Sequence, residues 1–437
     1  MKDDQNDASP TARTTGGAAI NPRPGHKLRV GIPVVARAAL SSPSQEDDFS
    51  QAGPHAEAAE AFVPNRFTGP SFRNPREKFR FDGHKMIYHL DRVAAWQRGE
   101  RFAPVHIDMG LTKFCNTACV YCYAVVQNMN RGTMIEREAL LRFIEDCGRV
   151  GVRSIGFIGD GEPTLNPAVY DAAVLARKVG VDTSMATNGL LLDMSRAHDI
   201  LRDMNWIRFN LSAGSTGGFQ RIHQSKGENY LLLLEIIRSL VAIKKQYNYP
   251  CTLGLQMVLI PENFDQIMPL AEAGAELGVD YLVIKHCSDS EYGELGMDYS
   301  LYAKAEEDLK RAEALSTADY VVQAKWNKIN AAGATDLYQD GIRKYDICYG
   351  TPFLSQLSGN GEVYPCGPFY GKKRFLMGDI HKESYHDIVM GDRYWAVHED
   401  IRTWVDVHKD CAMGCRQDYL NKFLWDLKNP PEHVNFI

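Results

Sequence analysis

Cys115-Asn-Thr-Ala-Cys119-Val-Tyr-Cys122 places three cysteines on one short loop, in the spacing C-x3-C-x2-C. A closed structural zinc site takes four protein ligands in a tetrahedron, and a disulfide framework takes cysteines in pairs. Three thiolates on a tight loop can instead hold three irons of a [4Fe–4S] cube and leave the fourth iron open to a small molecule. Upstream, Val105-His-Ile-Asp-Met109 reads as a short buried strand. The cysteine loop then sits at a strand's C-terminal end, where an α/β barrel keeps its chemistry. The spacing alone also admits a chance cluster, or a zinc knuckle that borrows a histidine.

A second segment narrows this. Gly159-Asp-Gly-Glu-Pro163 follows directly on the apolar run Ser154-Ile-Gly-Phe-Ile158. Together the two segments resemble the radical S-adenosylmethionine (SAM) enzymes. In that family the three-cysteine loop follows the first barrel strand, an aromatic residue (here Tyr121) precedes the last cysteine, and a Gly-Gly-Glu-Pro segment closes the second strand. Asp160 stands where the family has the first glycine. The resemblance implies that Cys115, Cys119 and Cys122 hold a SAM-binding [4Fe–4S] cluster, and that Gly161 and Glu162 grip the methionyl amino group of SAM. A carboxylate suits that task, because a buried ammonium needs a charge-assisted acceptor.

Composition sets bounds. With 437 residues and 44% hydrophobic side chains, the chain can bury one large domain and a smaller one. A net charge of −6 and a pI near 6.1 leave no electrostatic footprint for a nucleic-acid backbone. The ten cysteines are scattered and metal-like in spacing, which points to a reducing cytoplasm rather than a secreted disulfide scaffold. No apolar run reaches membrane-span length. The stretch 27–37 is too broken by charge and proline to be a signal-peptide core.

Residues 1–75, rich in Ala, Pro, Gly, Ser and Asp, read as a disordered or loosely docked leader. Residues 76–103 hold a helix with apolar residues at helical spacing from Lys85 to Trp96, expected to pack beneath the barrel. From 104 to 320 strands and helices alternate, the pattern of a parallel sheet wrapped by helices. Strands are expected at 105–109, 154–158, 181–186, 206–212, 252–260 and 281–286, with helices such as 137–150, 167–179 and 264–277. The expected fold is α/β, an incomplete (β/α)6 TIM-like barrel with a small C-terminal domain over 321–437.

Several strand ends carry polar groups. Thr187-Asn188-Gly189 closes strand three, and Asn210 and Ser212 share a face at the end of strand four. Gln256 lies in strand five, and Lys285-His-Cys287 closes strand six. The resemblance implies contacts from such positions to the ribose and carboxylate of SAM, with Ser212 first and Asn188 and Gln256 after it. Ordinary turn and cap chemistry is the competing account. Cys147 and Cys251 read as core packing. Cys287, at the barrel mouth, is the candidate catalytic thiol, able to give a hydrogen atom to a substrate radical.

The C-terminal third repeats the cysteine theme. Cys348, Cys366, Cys411 and Cys415 fall outside the barrel in the spacing C-x17-C-x44-C-x3-C, around a hairpin turn at Gly359-Asn-Gly361. This resembles the auxiliary-cluster extension of radical SAM enzymes, the SPASM or shorter twitch domain. Four cysteines suffice for a second, fully ligated [4Fe–4S] cluster, and a zinc site from the same thiolates stays open.

The resemblance implies reductive cleavage of SAM to a 5′-deoxyadenosyl radical that takes hydrogen from an unactivated carbon, with an electron donor such as flavodoxin or ferredoxin. The expected substrate is a small polar metabolite (a sugar, aminocyclitol or nucleoside), oxidised or epimerised. The alternatives are a peptide-modifying maturase or epimerase, and a non-catalytic iron–sulfur scaffold. Neither nucleic acid nor membrane is expected as a partner.

Overall fold

The computed structural model of the chain describes residues 79, 84–122, 133–289, 294–331, 343–411 and 415–436. The leader expected over 1–75 lies outside the described residues. Six strands alternate with helices as the sequence predicts: β1 His106–Met109, β2 Ser154–Phe157, β3 Asp182–Thr187, β4 Trp206–Asn210, β5 Thr252–Leu259 and β6 Tyr281–His286. All are parallel, each paired to the next. Strand alternation sorts their side chains. Ile107, Met109, Ile155, Phe157, Met185, Ile207, Phe209, Leu255 and Ile284 join the main hydrophobic core with the surrounding helices. The opposite face carries Asp108, Arg208, Asn210, Gln256 and Lys285, and this face is the barrel interior.

The helices follow from their apolar spacing. Arg137–Val150 buries Leu140, Phe143, Ile144 and Cys147 and stops at Gly151, whose φ of +82° closes the helix in the left-handed conformation. The helix expected from Lys85 is split. A 3-10 turn, Met86–Tyr88, and an α-helix, Leu90–Gln97, meet at His89. Val93 and Trp96 then pack with Val105, Phe353 and Leu424. Val105 precedes β1, so this layer lies beneath the barrel.

An open six-stranded barrel has two edges whose backbone N–H and C=O groups lack partners. Both are covered here. β7, Val321–Ala324, runs parallel beside β6, although its residues fall in the stretch expected to belong to the C-terminal domain. β8, Leu354–Leu357, runs parallel beside β1, with Asp108 opposite Gln356. One ten-stranded sheet results, in the order β10-β9-β8-β1-β2-β3-β4-β5-β6-β7. The expected hairpin is present: β9, Glu362–Tyr364, pairs antiparallel with β8, and β10, Gly378–Asp379, pairs with β9. Gly361 in the connecting turn has a φ of +86°, a conformation that favours glycine. Among the described residues no helix is long and apolar enough to cross a membrane.

Candidate active site

The three-cysteine loop leaves the C-terminal end of β1 and is fastened along its length. Gly110 N–H donates to the Leu357 carbonyl at 2.8 Å, and Glu162 N–H to the Phe114 carbonyl at 2.8 Å. A side chain on Gly161 would place its Cβ 2.2 Å from that Phe114 oxygen. Only glycine lets the two segments approach so closely. Ala118 and Val120 donate to the carbonyls of His223 and Ile222 at 3.3 and 3.0 Å. Cys115, Cys119 and Cys122 are partly buried. Burial pushes the Cys115 thiol up to about 11, with the Glu162 carboxylate adding to it, and pushes Cys119 up to about 12, with the other two cysteines adding. Thiols so placed become thiolates only beside a strong positive charge, which is the condition a metal cluster supplies. Among the described residues no three Cys, His, Asp or Glu side chains converge as the ligands of a single ion would. The ligands of a cube stand farther apart, because each binds a different iron.

Glu162 is buried where β2 ends, and its carboxylate takes four donors. Thr164 N–H (3.1 Å), Thr164 Oγ1 (2.8 Å) and Thr187 Oγ1 (2.5 Å) meet Oε1, and Asn188 N–H meets Oε2 at 2.7 Å. Burial alone raises its pKa, and these bonds oppose the rise. Oε2 keeps acceptor capacity for a further donor. The residues therefore fit a three-cysteine cluster with a ligand ammonium beside it.

The other predicted residues divide. Asn188 joins the site: its Nδ2 donates to Asn116 Oδ1 at 2.6 Å and lies 4.0 Å from the Cys115 sulfur. Tyr121 packs with Ile222, Val258, Ile260 and Cys287. Ser212 has no exposed surface. Its Oγ accepts Val258 N–H at 3.0 Å and its N–H donates to His223 Nε2 at 2.9 Å. Gln256 is buried and donates to Asn210 Oδ1 at 3.0 Å. Cys287 follows Lys285 by two positions, its thiol lies 3.7 Å from the Ser288 carbonyl and 3.8 Å from that of Tyr121, and burial pushes it up to about 12. Cys147 and Cys251 are fully buried, as expected.

The C-terminal cysteines meet the barrel across one cavity of about 370 Å³. Cys348, Cys366, Cys411 and Cys415 all line it, together with Asp108, Asp160 and Lys285 from the ends of β1, β2 and β6. Burial raises the thiols of Cys348 (to about 11), Cys366 and Cys411, and each is raised further by its neighbouring cysteines. Asn421 donates to the Cys348 sulfur at 3.3 Å. The four fit a cluster of their own.

Three residues on this cavity, and His223 at the cysteine loop, have partners that the sequence did not assign. Asp160 accepts Ser358 Oγ and Gly359 N–H, both at 2.8 Å, so the residue in the family's glycine position ties β2 to the β8–β9 turn. Asp108 pairs with Arg416; burial opposes its ionisation, but Arg416 and His106 hold its carboxyl below the usual range. Burial, then the charges of Arg208, Lys328 and Lys325, push the Lys285 ammonium down to about 7. His223 touches the loop itself. Asp160, as the departure from the Gly-Gly-Glu-Pro pattern, and Lys285, beside Cys287 at a strand end, had a sequence signal; Asp108 and His223 had none.

Residues 109–273 match the family model described as the radical SAM superfamily. The chain is 27% identical over 338 residues to the PqqA peptide cyclase of Streptomyces rochei, covering 72% of this chain and 85% of that one. It is 24% identical over 192 residues to the tungsten-containing aldehyde ferredoxin oxidoreductase cofactor-modifying protein of Pyrococcus furiosus, spanning 41% of this chain and 51% of the relative. The fold resembles that of Streptococcus suis SuiB bound to S-adenosylmethionine, with a TM-score of 0.56 at 13% identity over 83% of this chain and 85% of that one. SuiB bound to its precursor peptide SuiA gives 0.55 at 14%, over 84% and 82%.

Proposed function

This chain belongs to the radical SAM superfamily through residues 109–273, and on that premise we propose that it oxidises a peptide substrate in the cavity between the barrel mouth and the four C-terminal cysteines. Bound at the three-cysteine cluster, SAM supplies a 5′-deoxyadenosyl radical able to take a hydrogen atom from carbon. Cys115, Cys119 and Cys122 hold that cluster, and Gly161 and Glu162 receive the ammonium of SAM. Cys348, Cys366, Cys411 and Cys415 would hold a second [4Fe–4S] cluster, which would supply an electron acceptor at the cavity wall. Net oxidation also releases a proton, and Lys285 Nζ accepts it: burial keeps the amine partly neutral near pH 7, where a general base works best.

The observation that carries oxidation is the single cavity lined by all four C-terminal cysteines and by Lys285. Epimerisation would need a hydrogen-atom donor facing the substrate. Cys287 is not among the lining residues, and its thiol lies between the carbonyls of Ser288 (3.7 Å) and Tyr121 (3.8 Å). The peptide is supported by the similarity to a peptide cyclase along most of both chains. A small polar metabolite is the second reading, favoured by the polar groups Asp108, Asp160 and Lys285 on the cavity wall. Reconstituted protein with SAM and dithionite, offered a panel of peptides and a panel of sugars and nucleosides, decides between them. We expect peptides to raise 5′-deoxyadenosine release above the substrate-free rate. A response confined to sugars or nucleosides would overturn the peptide.

A further inference from the structure

We infer that His223 is a positioning residue for the SAM-binding cluster, donating an Nδ1–H···S hydrogen bond to Cys119 that raises the cluster's reduction potential. The inference rests on the reading of Cys115, Cys119 and Cys122 as cluster ligands.

The geometry fixes which nitrogen carries the proton. His223 ends the helix Thr216–His223 and is buried. Its Nε2 lies 2.9 Å from the backbone nitrogen of Ser212. A backbone N–H can only donate, so Nε2 presents its lone pair. A doubly protonated ring would set two N–H groups against each other there. The neutral ring therefore carries its hydrogen on Nδ1, and Nδ1 faces the Cys119 sulfur at 3.2 Å.

The ring has little freedom to turn away. Phe219 stacks on it with centroids 4.6 Å apart and planes at 25°, and Tyr121 meets it edge-on at 5.9 Å. The bonds from Ala118 and Val120 to the same helix end hold the loop on either side of Cys119. Ser212, expected at the ribose or carboxylate of SAM, thus fixes the tautomer of a residue that touches a cluster ligand.

An N–H aimed at a coordinating thiolate stabilises negative charge on sulfur. That charge grows when the cluster gains an electron, so the bond favours the reduced state. The donor falls on Cys119, while Thr117 Oγ1 sits between Cys115 and Cys119 at 3.5 and 3.6 Å.

The test is an anaerobic redox titration of the reconstituted protein followed by electron paramagnetic resonance, using the signal that changes when SAM is added. His223→Phe keeps a stacking ring and removes the donor. At a fixed poise its reduced-to-oxidised ratio should fall about tenfold, the worth of one hydrogen bond to a charged group, or about 59 mV for one electron. His223→Gln, which can both accept from Ser212 and donate to sulfur, should recover part of the shift. Should the Phe variant fail to load iron, wild type grown with 15N-histidine gives a second measurement. Its reduced, SAM-responsive signal should show a weak histidine-nitrogen coupling in pulsed spectra. An unshifted potential in loaded His223→Phe, or no nitrogen coupling in wild type, would overturn this inference alone. Absence of any SAM-responsive cluster in wild type would overturn both it and the reading beneath it.

Discussion

A carboxylate that already holds four hydrogen bonds has little room for error. In Glu162→Gln the amide nitrogen would confront the hydroxyl and N–H donors of Thr164, Thr187 and Asn188, and the charge that receives an ammonium is lost. SAM affinity should fall about tenfold or more, the worth of a charged hydrogen bond, with iron content unchanged. Calorimetric titration with SAM checks this, and an unaltered Kd would refute the role. Lys285 makes a different prediction. Its pKa is lowered on folding to about 7, so the unfolded chain binds more protons between pH 7 and the ordinary lysine value near 10.4. Stability therefore rises with pH across that window, and the cost of burying the lysine is full below pH 7. Lys285→Met should raise the melting temperature most below pH 7 and progressively less toward pH 10, as calorimetry would show. A gain independent of pH would argue against a buried ammonium. At this scale the cysteine loop and Glu162 were legible because their spacing is local. His223 and the Asp108–Arg416 pair were not, since residues more than a hundred positions apart meet only in the folded barrel.

Among the elements, the six barrel strands could be read to within two residues at each end. Their core-facing residues alternate with polar ones, and helical spacing returns between them. Their lateral partners were another matter. Leu354-Ser-Gln-Leu357 has the alternation of a hairpin arm, and nothing in four residues says that its other edge pairs with β1. The Asp160 tie strengthens that junction. Asp160→Ala would leave the buried Gly359 N–H without its acceptor, and should cost roughly 1–3 kcal/mol. Asp160→Asn, which keeps one acceptor oxygen, should cost less. Thermal unfolding of the two variants checks the order, and equal melting temperatures in all three proteins would discount the tie.

For the whole molecule the expectation is two clusters in one folded unit. Wild type should carry about eight irons, from two four-iron clusters, and the Cys115/Cys119/Cys122 alanine triple mutant about half as many. Finding one zinc per chain and a single cluster would assign the C-terminal thiolates to a structural metal instead. The sheet order has a consequence for how the protein is made. β1 leaves the ribosome early, yet its outer neighbour β8 emerges some 250 residues later. Until then the nascent chain displays a bare strand edge, open to pairing with any extended segment nearby. Synthesis thus has a vulnerable interval that closes only when the second cysteine set is being delivered. A chain ended at residue 320 would never leave that interval. It should appear in inclusion bodies when produced without chaperones, whereas the full-length protein remains in the supernatant; a soluble, monomeric truncation would show that β1 needs no cover.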